Sequence, residues 1–184
     1  MIITTTPNIE GSRVVEYLGL VSGEVQEKKN VQLLDLVGDI FTCLCRDFSK
    51  DGITVEIQIP DEMMVFVVPV QVQQVLMNLI LNARDAMLPH GGVLTIRAAE
   101  RSDIVEIEVA DTGDGIDPAI VTNIFETFYT TKADKDLPVE NSGAGIGLAF
   151  CKMIIDGHQG SISVESEPGH GSTFKIVLPK TTVG

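Results

Sequence analysis

Two asparagines four residues apart, Asn78 and Asn82, sit in a segment whose apolar residues recur at helical spacing. At about 100° per residue, Gln71, Gln74, Asn78, Asn82 and Asp85 fall on one narrow arc. Val72, Val75, Leu76, Leu79, Ala83 and Ala86 take the opposite side. Asparagine is a poor interior helix former, so a stripe of carboxamides asks for a reason. Two side-chain oxygens one turn apart suit a hydrated Mg2+ whose other ligands are phosphates and water. A solvated helix face is the competing reading, and the stripe alone does not separate the two.

A second element runs Val109-Ala-Asp111-Thr-Gly113-Asp-Gly115-Ile116. A strand there delivers one carboxylate at its end, and the glycines let the next stretch of backbone turn tightly. Such an Asp can accept a hydrogen bond from an exocyclic amine such as that of adenine, with glycine admitting a flat ring. An Asp-Gly turn without a ligand has the same composition. A third element, Ser142-Gly143-Ala-Gly145-Ile-Gly147-Leu148, opens an apolar helix. Small residues at a helix N-terminus leave N–H groups and the positive dipole end available to phosphate. No lysine comes after the glycines as in a P-loop, and a long loop stands where a Rossmann fingerprint needs a strand. A plain glycine-rich linker would not account for the apolar helix that begins at once.

The elements that must position these groups are legible from periodicity. Residues 31–48 place Leu33, Val37, Ile40, Phe41, Leu44 and Phe48 at helical spacing, with Cys43 and Cys45 as small core or boundary groups. Strands are expected at 53–59, 63–68, 93–99, 104–111, 161–165 and 173–178, and at 13–22 near the start. Pro69 opens the asparagine helix, since proline is tolerated in a first turn. Residues 127–142 are polar and aperiodic, and a connection that long is usually functional or mobile. The order α-β-β-α-β-β-loop-α-β-β predicts an α+β fold, a two-layer sandwich with helices on one face of a mixed sheet.

Composition narrows the partners. The 184 residues carry 26 acidic and 13 basic side chains, a net charge of −13. That argues against a general nucleic-acid binder, which needs excess Lys and Arg to displace phosphate counterions. A polyanion would have to be held by local devices. No apolar run is long enough to span a membrane, and no signal peptide opens the chain, so no membrane contact is expected. Cys43, Cys45 and Cys151 form neither a CxxC pair nor a disulfide framework, which fits a reducing cytoplasm.

Taken together, the motifs resemble sensor histidine kinases. Gln74 to Met87, with Asn78 and Asn82, looks like their N box, and Asp111-Thr-Gly113-Asp-Gly115 like their G1 box. Phe125-Glu-Thr-Phe128 resembles the F box, with Thr127 where proline is usual. Gly143 to Leu148 resembles the G2 box, and Pro168-Gly-His-Gly171-Ser-Thr173-Phe the closing turn. Each is weak alone; their order and spacing across about residues 30–180 is specific.

The resemblance implies the ATP-binding catalytic domain of a two-component kinase. Its fold would be the Bergerat fold of gyrase, Hsp90 and MutL, with three helices on one face of the sheet and an ATP lid at about 127–142. It implies that Asn82 binds Mg2+ and that Asn78 supports metal and phosphates. Asp111 would accept from adenine, with Gly113, Gly115 and Ile116 shaping the pocket. Asp85 and Leu148 would add nucleotide contacts, and Lys132 a phosphate contact. Gly143, Gly145 and Gly147 would form the lid hinge, and Thr173 a polar contact near adenine. Hydrolytic relatives place a Glu one turn before the Mg2+-binding Asn; Asn78 stands there here, and a carboxamide cannot take a proton from water. That favours transfer of the γ-phosphoryl to a histidine, from which a response regulator would be served. An interaction module that moves its lid without transfer, or an anti-sigma-type serine kinase, are the alternatives. No phosphoacceptor hairpin is expected within residues 1–29, which form a β-like appendage before an ATP-binding domain at 30–181. Residues 1–25 loosely resemble the start of a small bacterial family named for heavy-metal binding. His90, His158 and His170 are expected as surface or capping residues.

Overall fold

The computed structural model describes residues 8–9, 12–13, 27–45, 47–121, 123–126 and 147–180. Strands β1 (Asn8–Ile9) and β2 (Ser12–Arg13) form a short antiparallel pair; the rest of the strand expected at 13–22 lies outside the described residues. The chain continues through β3 (Lys29–Gln32), α1 (Leu33–Leu44), a 3-10 turn (Phe48–Asp51), β4 (Ile53–Gln58), β5 (Met64–Val67) and α2 (Pro69–Met87). Then come β6 (Gly92–Arg101), β7 (Ile104–Asp111), the short α3 (Pro118–Val121), α4 (Gly147–Gly157), β8 (Ser161–Glu167) and β9 (Gly171–Pro179).

Five strands make a mixed sheet in the order β4-β6-β7-β9-β8, with β4 parallel to β6 and the other pairs antiparallel. Strict alternation sorts its two faces. Leu94 and Ile96, Val105, Ile107 and Val109, and Phe174, Ile176 and Leu178 are buried on the helix side. Against them α2 lays Val72, Val75, Leu76, Leu79 and Ala83, the apolar arc read from its sequence, together with Ile80 and Met87. On the opposite face Glu108 pairs with Arg97 and with Lys175, the latter at 3.2 Å. Partial burial alone would raise Glu108; the two cations outweigh it and hold the carboxyl below its usual range.

The first helix is shorter than its periodicity suggests. Cys45 takes φ 44°, a left-handed cap whose N–H donates to the Thr42 carbonyl, and this ends α1. Phe48 therefore lands on the 3-10 turn, yet is still buried, edge-on to Phe41 at 5.6 Å. Cys43 and Cys45 are exposed, outside the face of α1 that buries Leu33, Leu36, Val37 and Ile40.

Entry into α2 depends on a distant side chain. Pro69 occupies the first turn as expected, and Val68 before it has no side-chain cap. Its N–H donates instead to Nε2 of His158, buried at the end of α4, at 3.0 Å. His158 Nδ1 lies 2.8 Å from the Ile154 carbonyl and donates to it, which leaves Nε2 to accept from Val68. Replacing His158 with Ala strands a buried N–H, a cost of about 1–3 kcal/mol. Thermal unfolding should register this as a drop of several degrees, partly recovered in His158→Gln; an unchanged midpoint would show that the bond contributes nothing.

Candidate functional site

Asp111 closes β7, paired to Leu94 on one side and Ser172 on the other. Its side chain is buried on the helix face, where Oδ1 accepts from the N–H of Gly113 at 2.9 Å and of Ser172 at 3.3 Å. Burial pushes the carboxyl above its ordinary value; the two N–H donors oppose that and Asp114 adds to it. With Oδ1 taken by the scaffold, the second oxygen is left as an acceptor for a ligand donor.

The turn after Asp111 is clamped in two directions. Gly113 lies so close to α2 that a Cβ there would sit 2.6 Å from the Ala86 carbonyl, and the next N–H, of Asp114, donates to that carbonyl. Gly115, at φ +70°, is pressed against the Glu167 carbonyl, where a Cβ would come within 2.1 Å. Ile116 N–H donates to Ser166 Oγ, which donates to the Gly171 carbonyl and touches Ser172 Oγ at 3.0 Å. An open cavity of about 350 Å3 adjoins Asp111 and is rimmed by Glu165 and Glu167.

The other end of the site lies where α2 meets α4. Asn78 is half-buried, and its amide fills the space beside Gly147 at the start of α4. Asn82 lies one turn further along the same face, also half-buried. Asp85 is exposed and pairs with Arg84 at 3.5 Å, while buried Arg84 also binds Asp51 at 2.7 Å. Leu148 and Ile116 are half-buried and pack on the core. Phe125 stands edge-on to Phe174 at 6.5 Å, joining the F-box segment to β9.

Among the expected site residues, Asp111, Gly113, Gly115, Ile116, Asn78, Asn82, Asp85, Gly147 and Leu148 are all described. Lys132, Gly143, Gly145 and the lid at 127–142 lie outside the described residues. Thr173 lines the same open cavity as Asp111, but its side chain does not share the face of the Asp111 carboxylate. Its register partners are Ala110 and Glu165, so it belongs to the face carrying Glu108 and Lys175. Ser172, directly opposite Asp111, occupies the position expected of Thr173. The signal was present: Ser172 is in phase with Phe174, Ile176 and Leu178, and Thr173 is not.

This arrangement has close counterparts. Residues 67–182 match the family described as Histidine kinase-, DNA gyrase B-, and HSP90-like ATPase. The chain belongs to this family. Its strand order and helix layer are the Bergerat fold, and the catalytic domain of histidine kinase ThkA superposes with a TM-score of 0.73 at 27% identity, covering 84% of this chain and 97% of that one. The sensor kinase CckA of Brucella abortus is 34% identical over 198 aligned positions, 98% of this chain and 20% of CckA. AtoS, a signal transduction histidine-protein kinase of Escherichia coli, is 42% identical over 58% of this chain and 16% of its own length. The chain thus spans about a fifth of the curated relatives it matches. In an ATPase domain of the histidine kinase type, Asp111 and the α2–α4 junction are the candidate ends of the nucleotide site. A second family model, described as Putative heavy-metal-binding, matches residues 1–48. Among the described residues no group of three His, Cys, Asp or Glu side chains could hold a metal ion.

The donor set fits the ligands of an ATP site. Asp111 offers a buried acceptor at the base end, and Asn78 and Asn82 offer neutral oxygens of the kind a hydrated Mg2+ accepts alongside phosphates. No described helix is long and apolar enough to cross a membrane.

Proposed function

We propose that residues 30–181 form the catalytic domain of a two-component sensor kinase, binding Mg·ATP and passing the γ-phosphoryl to a histidine on a phosphoacceptor domain. The observation that carries this reading is the buried Asp111 acceptor at one end of the site and a carboxamide pair, with no carboxylate base in the pair, at the other. Asp111 orients the base. Asn82 is the proposed Mg2+ ligand and Asn78 its support, with Lys132 a further phosphate contact. Bound Mg2+ would supply charge neutralisation on the phosphate oxygens. The residues of this chain position the γ-phosphoryl and keep water from being activated. In the transfer an imidazole nitrogen forms the new N–P bond as the O–P bond to ADP breaks, and ADP leaves with the electron pair.

The response regulator comes in as the next acceptor, and the cytoplasm, where ATP is available and free thiols persist, as the setting. The test supplies a phosphoacceptor hairpin in trans with γ-labelled ATP. Acid-labile label on the hairpin histidine is expected. Acid-stable label would indicate a serine kinase, and ATP binding without any label a nucleotide-dependent interaction module.

Asn82→Ala should remove most of the magnesium-dependent part of ATP affinity, about tenfold or more, and leave adenosine binding unchanged. Calorimetry with Mg2+ and with EDTA reads the difference. Equal losses under both conditions would remove Asn82 from the metal site.

A further inference from the structure

Asn78 is gripped from behind by a side chain on another helix. Its Nδ2 donates to Sγ of Cys151 at 3.1 Å, and Cys151 is fully buried in α4. The thiol in turn faces the Val75 carbonyl of α2 at 3.9 Å. A thiol has one weak donor and one weak acceptor, and both are used here. Burial pushes this thiol up to about 11, so near neutral pH it keeps the proton that points at Val75. The two ends of a carboxamide have opposite polarity, and exchanging them changes what the residue can bind. The amide of Asn78 lies beside Gly147, where an added Cβ would come within 2.7 Å of Oδ1, so it occupies space that only a residue without a side chain leaves free.

We propose that Cys151 is a positioning residue that fixes the orientation of the Asn78 amide, committing its N–H2 end to the core and reserving Oδ1 for the phosphate end of the site. This rests on the Mg·ATP reading above. An oxygen so presented accepts hydrogen bonds from the water shell of a divalent cation or faces the cation itself. The opposite orientation would set an N–H2 group, with its positive edge, against the same cation. Second-layer partners of this kind commonly account for tenfold to hundredfold effects on metal affinity.

The test compares Cys151→Val, which keeps the bulk of the side chain but cannot accept, with Cys151→Ser, which retains a donor and an acceptor. In the full chain, Cys151→Val should weaken Mg·ATP about tenfold, leave adenosine affinity unchanged, and bring the Asn78 side-chain N–H2 protons into faster solvent exchange by NMR without ligand. Cys151→Ser should restore most of the affinity and the slow exchange. If Cys151→Val binds Mg·ATP like wild type, or loses adenosine and Mg·ATP affinity equally, the positioning role is wrong while the Mg·ATP reading stands. Wild type showing no magnesium-dependent binding would overturn both together.

Discussion

Asp111→Asn should weaken ATP binding about tenfold to hundredfold and leave the unliganded fold as stable as wild type or more so. The asparagine Oδ1 can still accept from Gly113 and Ser172, so the turn keeps its anchor. The other end changes from an acceptor into an N–H2 donor, facing the amine of adenine. Two opposed donors in a buried site cost about 1–3 kcal/mol, which is the tenfold-to-hundredfold loss. The stability side has the opposite sign. Burial raises Asp111 in the folded chain above 3.8, against the pull of its two N–H donors, so the native state holds the proton more tightly than the unfolded chain does. Its contribution to stability is therefore full below the unfolded value and is lost as pH rises through the folded one. At neutral pH the ionised group is a net cost that asparagine removes. Adenine recognition should fall as pH drops through the same raised value, because the protonated acid loses an acceptor. Calorimetry and thermal unfolding of one variant read both halves. A variant that binds like wild type, or that unfolds well below it, refutes this assignment.

Gly171→Ala should be among the most damaging single changes in the domain. Gly171 has φ +89°, and a Cβ there would lie 1.9 Å from the Asp111 carbonyl, a backbone atom that cannot swing aside. The left-handed conformation costs about 1–2 kcal/mol, and forced separation of packed backbone about 1–3 kcal/mol more. A total of several kcal/mol corresponds to a fall in melting temperature of order 10 °C in a domain of this size. Since relief requires β7 and β9 to part at the Asp111–Ser172 pair, ATP affinity should fall with stability. Gly169 is the control: it too has positive φ, +79°, but nothing lies within 4 Å of its Cβ position. Gly169→Ala should cost only the conformational part. Equal effects at the two positions would show that the contact with Asp111 is not the cause.

The contrast between these glycines marks where reading the sequence stops. Both sit in Pro168-Gly-His-Gly171, and no local pattern separates them. Only the register of β7 against β9 places the Asp111 carbonyl over one and leaves the other open. The same limit applies to the histidines. His158 stands after an apolar helix much as a surface cap would, and its bond to Val68 joins residues 90 apart in the chain. The exchange of Thr173 for Ser172 is a milder case, since strand alternation already puts Ser172 in phase with Phe174.

Local periodicity and ordered motifs were enough to reveal the apolar and carboxamide sides of α2, the strand ending at Asp111, the α+β layering and membership of the ATPase family. Helical and strand periods repeat over a few residues, so the information they carry is local and survives in the bare chain. Which groups meet was settled by folding: Asn78 with Cys151, Val68 with His158, Gly113 with Ala86 and Gly171 with Asp111. These contacts join elements distant in the chain, and their polarity and clearance depend on the packing of α2 and α4 and on the register of β7 and β9.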